Sequence, residues 1–157
     1  MIQKEDRILM IVPTDEMGGA EQLVKQLAIN YQLNGKNVCV ICLTQKTSKN
    51  GWSDYLGEIV YFNTSIVYLG FLFLLFYLYN KKFALVFSSQ VYINGFLGLL
   101  RKFRLYTVTK LIVRESTSVF LRFTGFRLAT YKLLYKIGYR NTDLIICQTE
   151  LMKSQLL

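Results

Sequence analysis

Apolar residues come along this chain in short solid runs rather than in strict alternation. Ile8-Leu9-Met10-Ile11-Val12, Val38-Cys39-Val40-Ile41-Cys42-Leu43 and Phe83-Ala84-Leu85-Val86-Phe87 are the clearest, with Lys110-Leu111-Ile112-Val113 and Asp143-Leu144-Ile145-Ile146-Cys147 further on. A strand with no polar side is covered on both faces, the condition of a strand in a parallel sheet. Glu58-Ile59-Val60-Tyr61-Phe62 reads as a shorter sixth strand. Between these runs the period lengthens to that of a helix. From residue 20, Leu23, Val24, Leu27, Ala28 and Tyr31 share one face, and Asn34-Gly35-Lys36 supplies a stop, since glycine suits the left-handed position that closes a helix. Further helices are expected from about 91 to 103, from 125 to 141, and opening at Thr149-Glu150, whereas 44–54 is polar and loop-like, with Asn50-Gly51 a turn signal.

Strands and helices taking turns without hairpin signals predict an α/β fold. The expected form is a Rossmann-like doubly wound parallel sheet of about six strands, with helices on both faces and right-handed crossovers. At 157 residues the chain is read as a single domain, 1–157, long enough to bury a core. Such sheets bind ligands outside the carboxyl ends of their strands. Three strand exits carry polar clusters, at 14–21, at 88–90 and at 114–118, and are expected to converge on one rim.

Residues 66–79 contain no charge and end at Asn80-Lys81-Lys82. A bilayer crossing needs about 20 apolar residues, so this run is short for one. Three readings stand open: a helix packed in the core, a helix partly sunk in a membrane interface, or a degraded span.

Charge sharpens the picture. Residues 1–80 hold six Lys/Arg against seven Asp/Glu, and residues 81–157 hold thirteen against three, giving −1 and +10 within the overall +9. A basic half rich in Phe and Tyr calls for an anionic partner or a solvated basic face. Arg101, Lys102 and Arg104 end one helix, where cations also suit the dipole. Lys132, Lys136 and Arg140 form one stripe on the 125–141 helix, opposite Leu128, Tyr131, Leu134, Tyr135 and Ile137. These six cations are the membrane-surface candidates; the other reading is a core-packed helix with a basic edge. No nucleic-acid partner is expected, because the cations fit no reading motif.

The polar start at 1–7 leads straight into a strand and has no signal-peptide character. Cys39 and Cys42 lie an odd number apart, on opposite faces of a strand, so with Cys147 they read as buried thiols, and no metal site is expected. The absence of histidine excludes a His-based zinc site, a Ser-His-Asp triad and a Cys-His dyad.

The first strand exit holds the strongest chemical signal. Gly18-Gly19 sits between a strand and a helix, where free N–H groups and the positive helix end can hold a phosphate, or where glycine merely permits a tight turn. It is neither the three-glycine dinucleotide fingerprint nor a Walker A loop. The longer string Val12-Pro13 through Met17-Gly18-Gly19-Ala20-Glu21, with its helix closing at Asn34-Gly35-Lys36-Asn37-Val38, resembles the amino-terminal domain of family 4 glycosyltransferases, retaining enzymes of the two-domain GT-B fold. Asn141-Thr142-Asp143-Leu144-Ile145-Ile146-Cys147-Gln148-Thr149-Glu150 resembles that family's Ala-Asp-x-Val-Ile-x-x-Ser strand, and the segment from Lys110 to Ser116 its fifth strand and polar exit.

The resemblance implies transfer of a sugar from a nucleotide-diphosphate donor to a saccharide or lipid-linked acceptor in cell-surface polysaccharide synthesis. It puts Gly18, Gly19 and Ala20 beside the donor diphosphate, with Glu21 orienting the loop. Ser89, Gln90, Arg114, Glu115 and Ser116 would line the cleft, Arg114 being the residue to pair with phosphate or acceptor. No resident cofactor is expected, and the catalytic residue is not identified. The family's histidine at the fourth or fifth strand exit is replaced here by Ser89-Gln90 and Arg114-Glu115. The apolar pattern at the end of the chain has no stop signal and reads as a truncation before the donor-holding domain, so the chain alone is expected to be inactive. The expected location is cytoplasmic, peripheral on the inner face of the membrane. Two other classes remain: a free-standing nucleotide-binding module and a non-enzymatic membrane-peripheral interaction protein.

Overall fold

In the computed structural model, which describes residues 7–46, 50–116 and 119–156, the solid apolar runs divide their side chains between two layers. On β1 (Arg7–Thr14), Leu9 and Ile11 enter one core while Ile8, Met10 and Val12 enter the other. Successive side chains on a strand point to opposite faces, so a run apolar at every position needs cover on both. Cys39 and Cys42 of β2 (Asn37–Thr44) obey the same parity and fall in different cores.

β1 and β2 are joined by β3 (Glu58–Tyr61), β4 (Lys82–Ser88), β5 (Thr107–Glu115) and β6 (Leu144–Cys147) in an all-parallel sheet of order β3-β2-β1-β4-β5-β6. One face is covered by α1 (Gly19–Leu33), whose Val24 and Ala28 are fully buried, together with Trp52 and Tyr55 from the β2–β3 connection. The other face carries α2 (Val67–Leu78), α3 (Val91–Lys102) and α5 (Gly125–Ile137). Two short helices, α4 (Val119–Arg122) and α6 (Glu150–Ser154), complete the order. The architecture is the expected Rossmann-like doubly wound sheet. Strand order reverses between β1 and β4, which opens a crevice at their carboxyl ends.

α1 closes as its sequence predicts. Gly35 adopts φ +72°, the Lys36 N–H donates to the Tyr31 carbonyl at 3.0 Å, and the Gly35 N–H donates to the Gln32 carbonyl at 2.9 Å. These are the two bonds of a Schellman closure.

Three expectations change. β5 begins at Thr107, ahead of the apolar run, because the Thr107 N–H is held by the Lys81 carbonyl at the foot of β4. The helix expected over 125–141 stops at Ile137 and passes into a 3-10 turn, Tyr139–Asn141. Packing is the cause: a Cβ on Gly98 would lie 2.0 Å from the Gly138 carbonyl oxygen, and one on Gly138 would lie 2.2 Å from that of Gly95. Backbone therefore meets backbone between α3 and the end of α5, and the tighter turn swings Tyr139 inward. The 44–54 connection is also less loop-like than its polarity implies: Trp52 and Tyr55 are buried in edge-to-face contact at 5.9 Å.

Of the readings for 66–79, the span is excluded, since no helix among the described residues is long and apolar enough to cross a membrane. α2 packs Gly70, Leu74 and Leu78 inward and leaves Tyr68, Leu72 and Phe76 exposed.

Candidate functional site

At the carboxyl end of the sheet lies an open cleft of about 550 Å³ lined by Gly19, Ala20, Glu21, Gln90, Arg114, Ser116 and Gln148. Each comes from a strand exit. β1 leads into the first turn of α1, β4 into the start of α3, β5 into Arg114 and Ser116, and β6 into Gln148. Six residues singled out from sequence thus share one cavity at the topological switch point.

The α1 end of the cleft is rich in donors. Gly18 is the N-cap and supplies no side-chain cap, and the first bond within the helix runs from the Gln22 N–H to the Gly18 carbonyl at 2.9 Å. The N–H groups of Gly19, Ala20 and Glu21 precede that bond and have no partner inside the helix. The start of α3 repeats the arrangement. Gln90 caps without a side-chain bond, and the Asn94 N–H donates to its carbonyl at 2.8 Å. The same cleft is lined by Arg114, whose Nη1 is buried and without a hydrogen-bond partner.

Neither glycine is needed for a left-handed turn. Gly18 has φ −94° and ψ −178°, ordinary extended backbone, and neither it nor Gly19 is left-handed. A Cβ on Gly18 would meet the Glu21 carboxylate at 2.7 Å, while one on Gly19 would meet nothing within 4 Å. The Glu21 carboxylate lies against Gly18, and Gly19 leaves its flank of the cleft bare. The loop is fixed from beneath by buried Asp15, whose carboxylate accepts from the Lys46 N–H at 2.7 Å and tethers the exit of β1 to that of β2.

Three expected site residues lie outside the cleft lining, Gly18, Ser89 and Glu115. Ser89 is buried; it reaches the site only through its carbonyl, which accepts from the Ser116 hydroxyl at 2.8 Å. Glu115 is buried on the other side of the sheet from Arg114, because adjacent strand residues face opposite ways. Thr117 and Ser118 of the third polar cluster, like residues 1–6 and 47–49, lie outside the described residues.

Glu115 anchors a buried polar network directly under the cleft. Its carboxylate accepts from the Tyr135 hydroxyl at 2.8 Å and from the Tyr139 hydroxyl. Asn94 donates to Tyr139 and to the Arg114 carbonyl, both at 3.0 Å, and accepts from the Ser88 hydroxyl. The network ties β4, α3, β5 and α5 together and holds the backbone from which Arg114 projects. Burial pushes the Glu115 carboxyl up from its ordinary value, and the hydrogen bonds from Tyr139, Tyr135 and Asn94 only partly oppose that. Tyr135 and Tyr139 are raised by burial and then by the neighbouring carboxylate, so both stay protonated donors.

The network and Gln148 were missed from sequence. Asn94 had left a signal, a polar residue amid Val91, Ile93, Gly95 and Leu97 on a helix with buried neighbours.

The six expected membrane-surface cations divide. Arg101 is taken up internally, donating to Asp143 at 2.6 Å and to the Asn141 carbonyl at 2.9 Å. Lys102 and Arg104 are exposed, and Lys132, Lys136 and Arg140 line a separate groove of about 490 Å³ between α5 and β6. Among the described residues no group of three or more Cys, Asp or Glu could hold a metal ion.

No protein-family model, curated protein or solved structure matches the chain. What can be said of function therefore rests on the cleft and its chemistry.

Proposed function

We propose that this domain forms the acceptor-side wall of a retaining glycosyltransferase, moving a sugar from a nucleotide-diphosphate donor to a saccharide or lipid-linked acceptor. The reading is carried by one observation. Gly19, Ala20, Glu21, Gln90, Arg114 and Ser116, named from three separate strand exits, line a single cleft at the sheet's switch point. The chemistry of the lining suits the substrate. Uncapped N–H groups and Arg114 favour a diphosphate, while Gln90, Ser116, Gln148 and the Glu21 carboxylate can bond sugar hydroxyls.

In this reading Arg114 pairs with phosphate and offsets the charge that grows on it as the sugar departs. Gly19 leaves room for the donor to approach the first turn of α1, and Ser116 and Gln148 orient the acceptor. The donor nucleoside is held by a second domain facing this cleft.

The test is transfer by the intact protein from labelled nucleotide-diphosphate sugars to free and lipid-linked saccharides. Arg114→Ala is expected to lower kcat/KM roughly a hundredfold, the scale of losing one charge-stabilising group. Transfer indifferent to Arg114→Ala contradicts the assignment. Micromolar binding of a whole nucleotide by this domain alone would instead make it a free-standing nucleotide module.

A further inference from the structure

We propose that the outward side of the α2–α3–α5 layer docks on an anionic lipid bilayer. The first observation is an exposed apolar helix face. α2 contains no polar side chain other than tyrosine, and its outward positions Tyr68, Leu72 and Phe76 are 86%, 44% and 68% exposed. Twelve residues make a rod of about 18 Å, against about 30 Å for a bilayer core, so α2 can lie along a membrane interface but not cross it. At its end the Asn80 N–H bonds the Leu105 carbonyl at 3.0 Å, and this brings Tyr79 and exposed Phe103 to the same edge of the domain.

The second observation is electrostatic and independent of the first. α2, α3, α4 and α5 contain no Asp or Glu at all. Lys102, Arg127, Lys132 and Lys136 stand exposed on this layer, and the Lys81 Nζ lies over the Tyr77 ring, 3.4 Å from its centre. Basic charge beside an apolar, aromatic helix face is what an anionic membrane surface takes up. A second copy of this chain fits poorly, since it would set one carboxylate-free basic layer against another. A protein partner fits less well too, because interface cores are depleted in lysine.

The N-cap of α3, Gln90, lines the cleft, so the layer reaches the cleft rim and docking would hold that rim near headgroup height. Docking stands apart from the sugar-transfer reading; only the use of a lipid-linked acceptor rests on both.

The experiment is flotation of the full chain with vesicles of phosphatidylcholine alone and of phosphatidylcholine with phosphatidylglycerol. Binding is expected only to the anionic vesicles. Phe76→Glu should weaken it at least about tenfold, and Lys132→Glu with Lys136→Glu about fivefold for each charge changed. Phe76→Trp gives a second readout, because Trp52 is buried on the opposite face of the sheet. Its emission should move to the blue with anionic vesicles and stay put with neutral ones. Equal binding to both vesicle types, unaltered flotation of a folded Phe76→Glu variant, or unmoved Phe76→Trp emission would overturn the proposal. So would binding of RNA or DNA with none to vesicles.

Discussion

Arg114 and Glu115 are neighbours with opposite fates, one in the cleft and one in the core beneath it. The two-residue period of a strand already separates them, since Leu111, Val113 and Glu115 share a parity and the first two are core residues. Polarity at a strand exit therefore did not make both residues site residues. The buried carboxylate has a measurable consequence. Its raised value means that the folded state holds this proton more tightly than the unfolded chain. That contribution to stability is complete below the unfolded value near 4.5 and is lost as pH rises through the higher folded value. Glu115→Gln should match the parent in urea unfolding below about pH 4 and become the more stable of the two toward neutral pH. Its advantage should grow with pH; a constant difference would mean that Glu115 is not the titrating group. Asn94→Ala leaves several buried partners unmatched, the Arg114 carbonyl among them, and should cost about 2 kcal/mol in the same assay.

Elements were legible where their boundaries are set locally. The left-handed Gly35 closes α1 on its own residues, so the stop could be read from Asn34-Gly35-Lys36. The end of α5 could not, because the apolar period continues past Ile137 and the break is imposed by α3. Gly95 and Gly98 are three residues apart on α3 and meet Gly138, a relation visible only once the two helices touch. Gly98→Ala would force its methyl into the Gly138 carbonyl and should cost about 3 kcal/mol, read as a lower urea midpoint. A neutral Gly98→Ala would mean the two helices are not in backbone contact. α2 was ambiguous for a related reason. A run apolar at every position carries no moment, so nothing in it distinguishes the face that packs from the face left outside.

At the scale of the molecule, the succession of strands and helices gives a doubly wound parallel sheet, and the structure supplies its order, β3-β2-β1-β4-β5-β6. That order opens the crevice between β1 and β4, and it is why residues as far apart as Gly19 and Ser116 could be expected together. Gln148 was harder to see, since its place depends on β6 lying beside β5 with Cys147 opposite Glu115. The charge asymmetry between the two halves of the sequence becomes an asymmetry between faces. α1 bears Glu21, whereas the α2–α3–α5 layer bears no carboxylate.

The central claim is that the cleft at the switch point receives a diphosphate on the first turn of α1 and on Arg114. Titration of the 15N-labelled chain with inorganic pyrophosphate tests it most directly. The account predicts that the amides of Gly19, Ala20 and Glu21 shift first and saturably, and that Arg114→Ala weakens the binding about tenfold, the worth of one charge-assisted pair. Shifts confined to the Lys132, Lys136 and Arg140 groove, or a titration indifferent to Arg114→Ala, would contradict it.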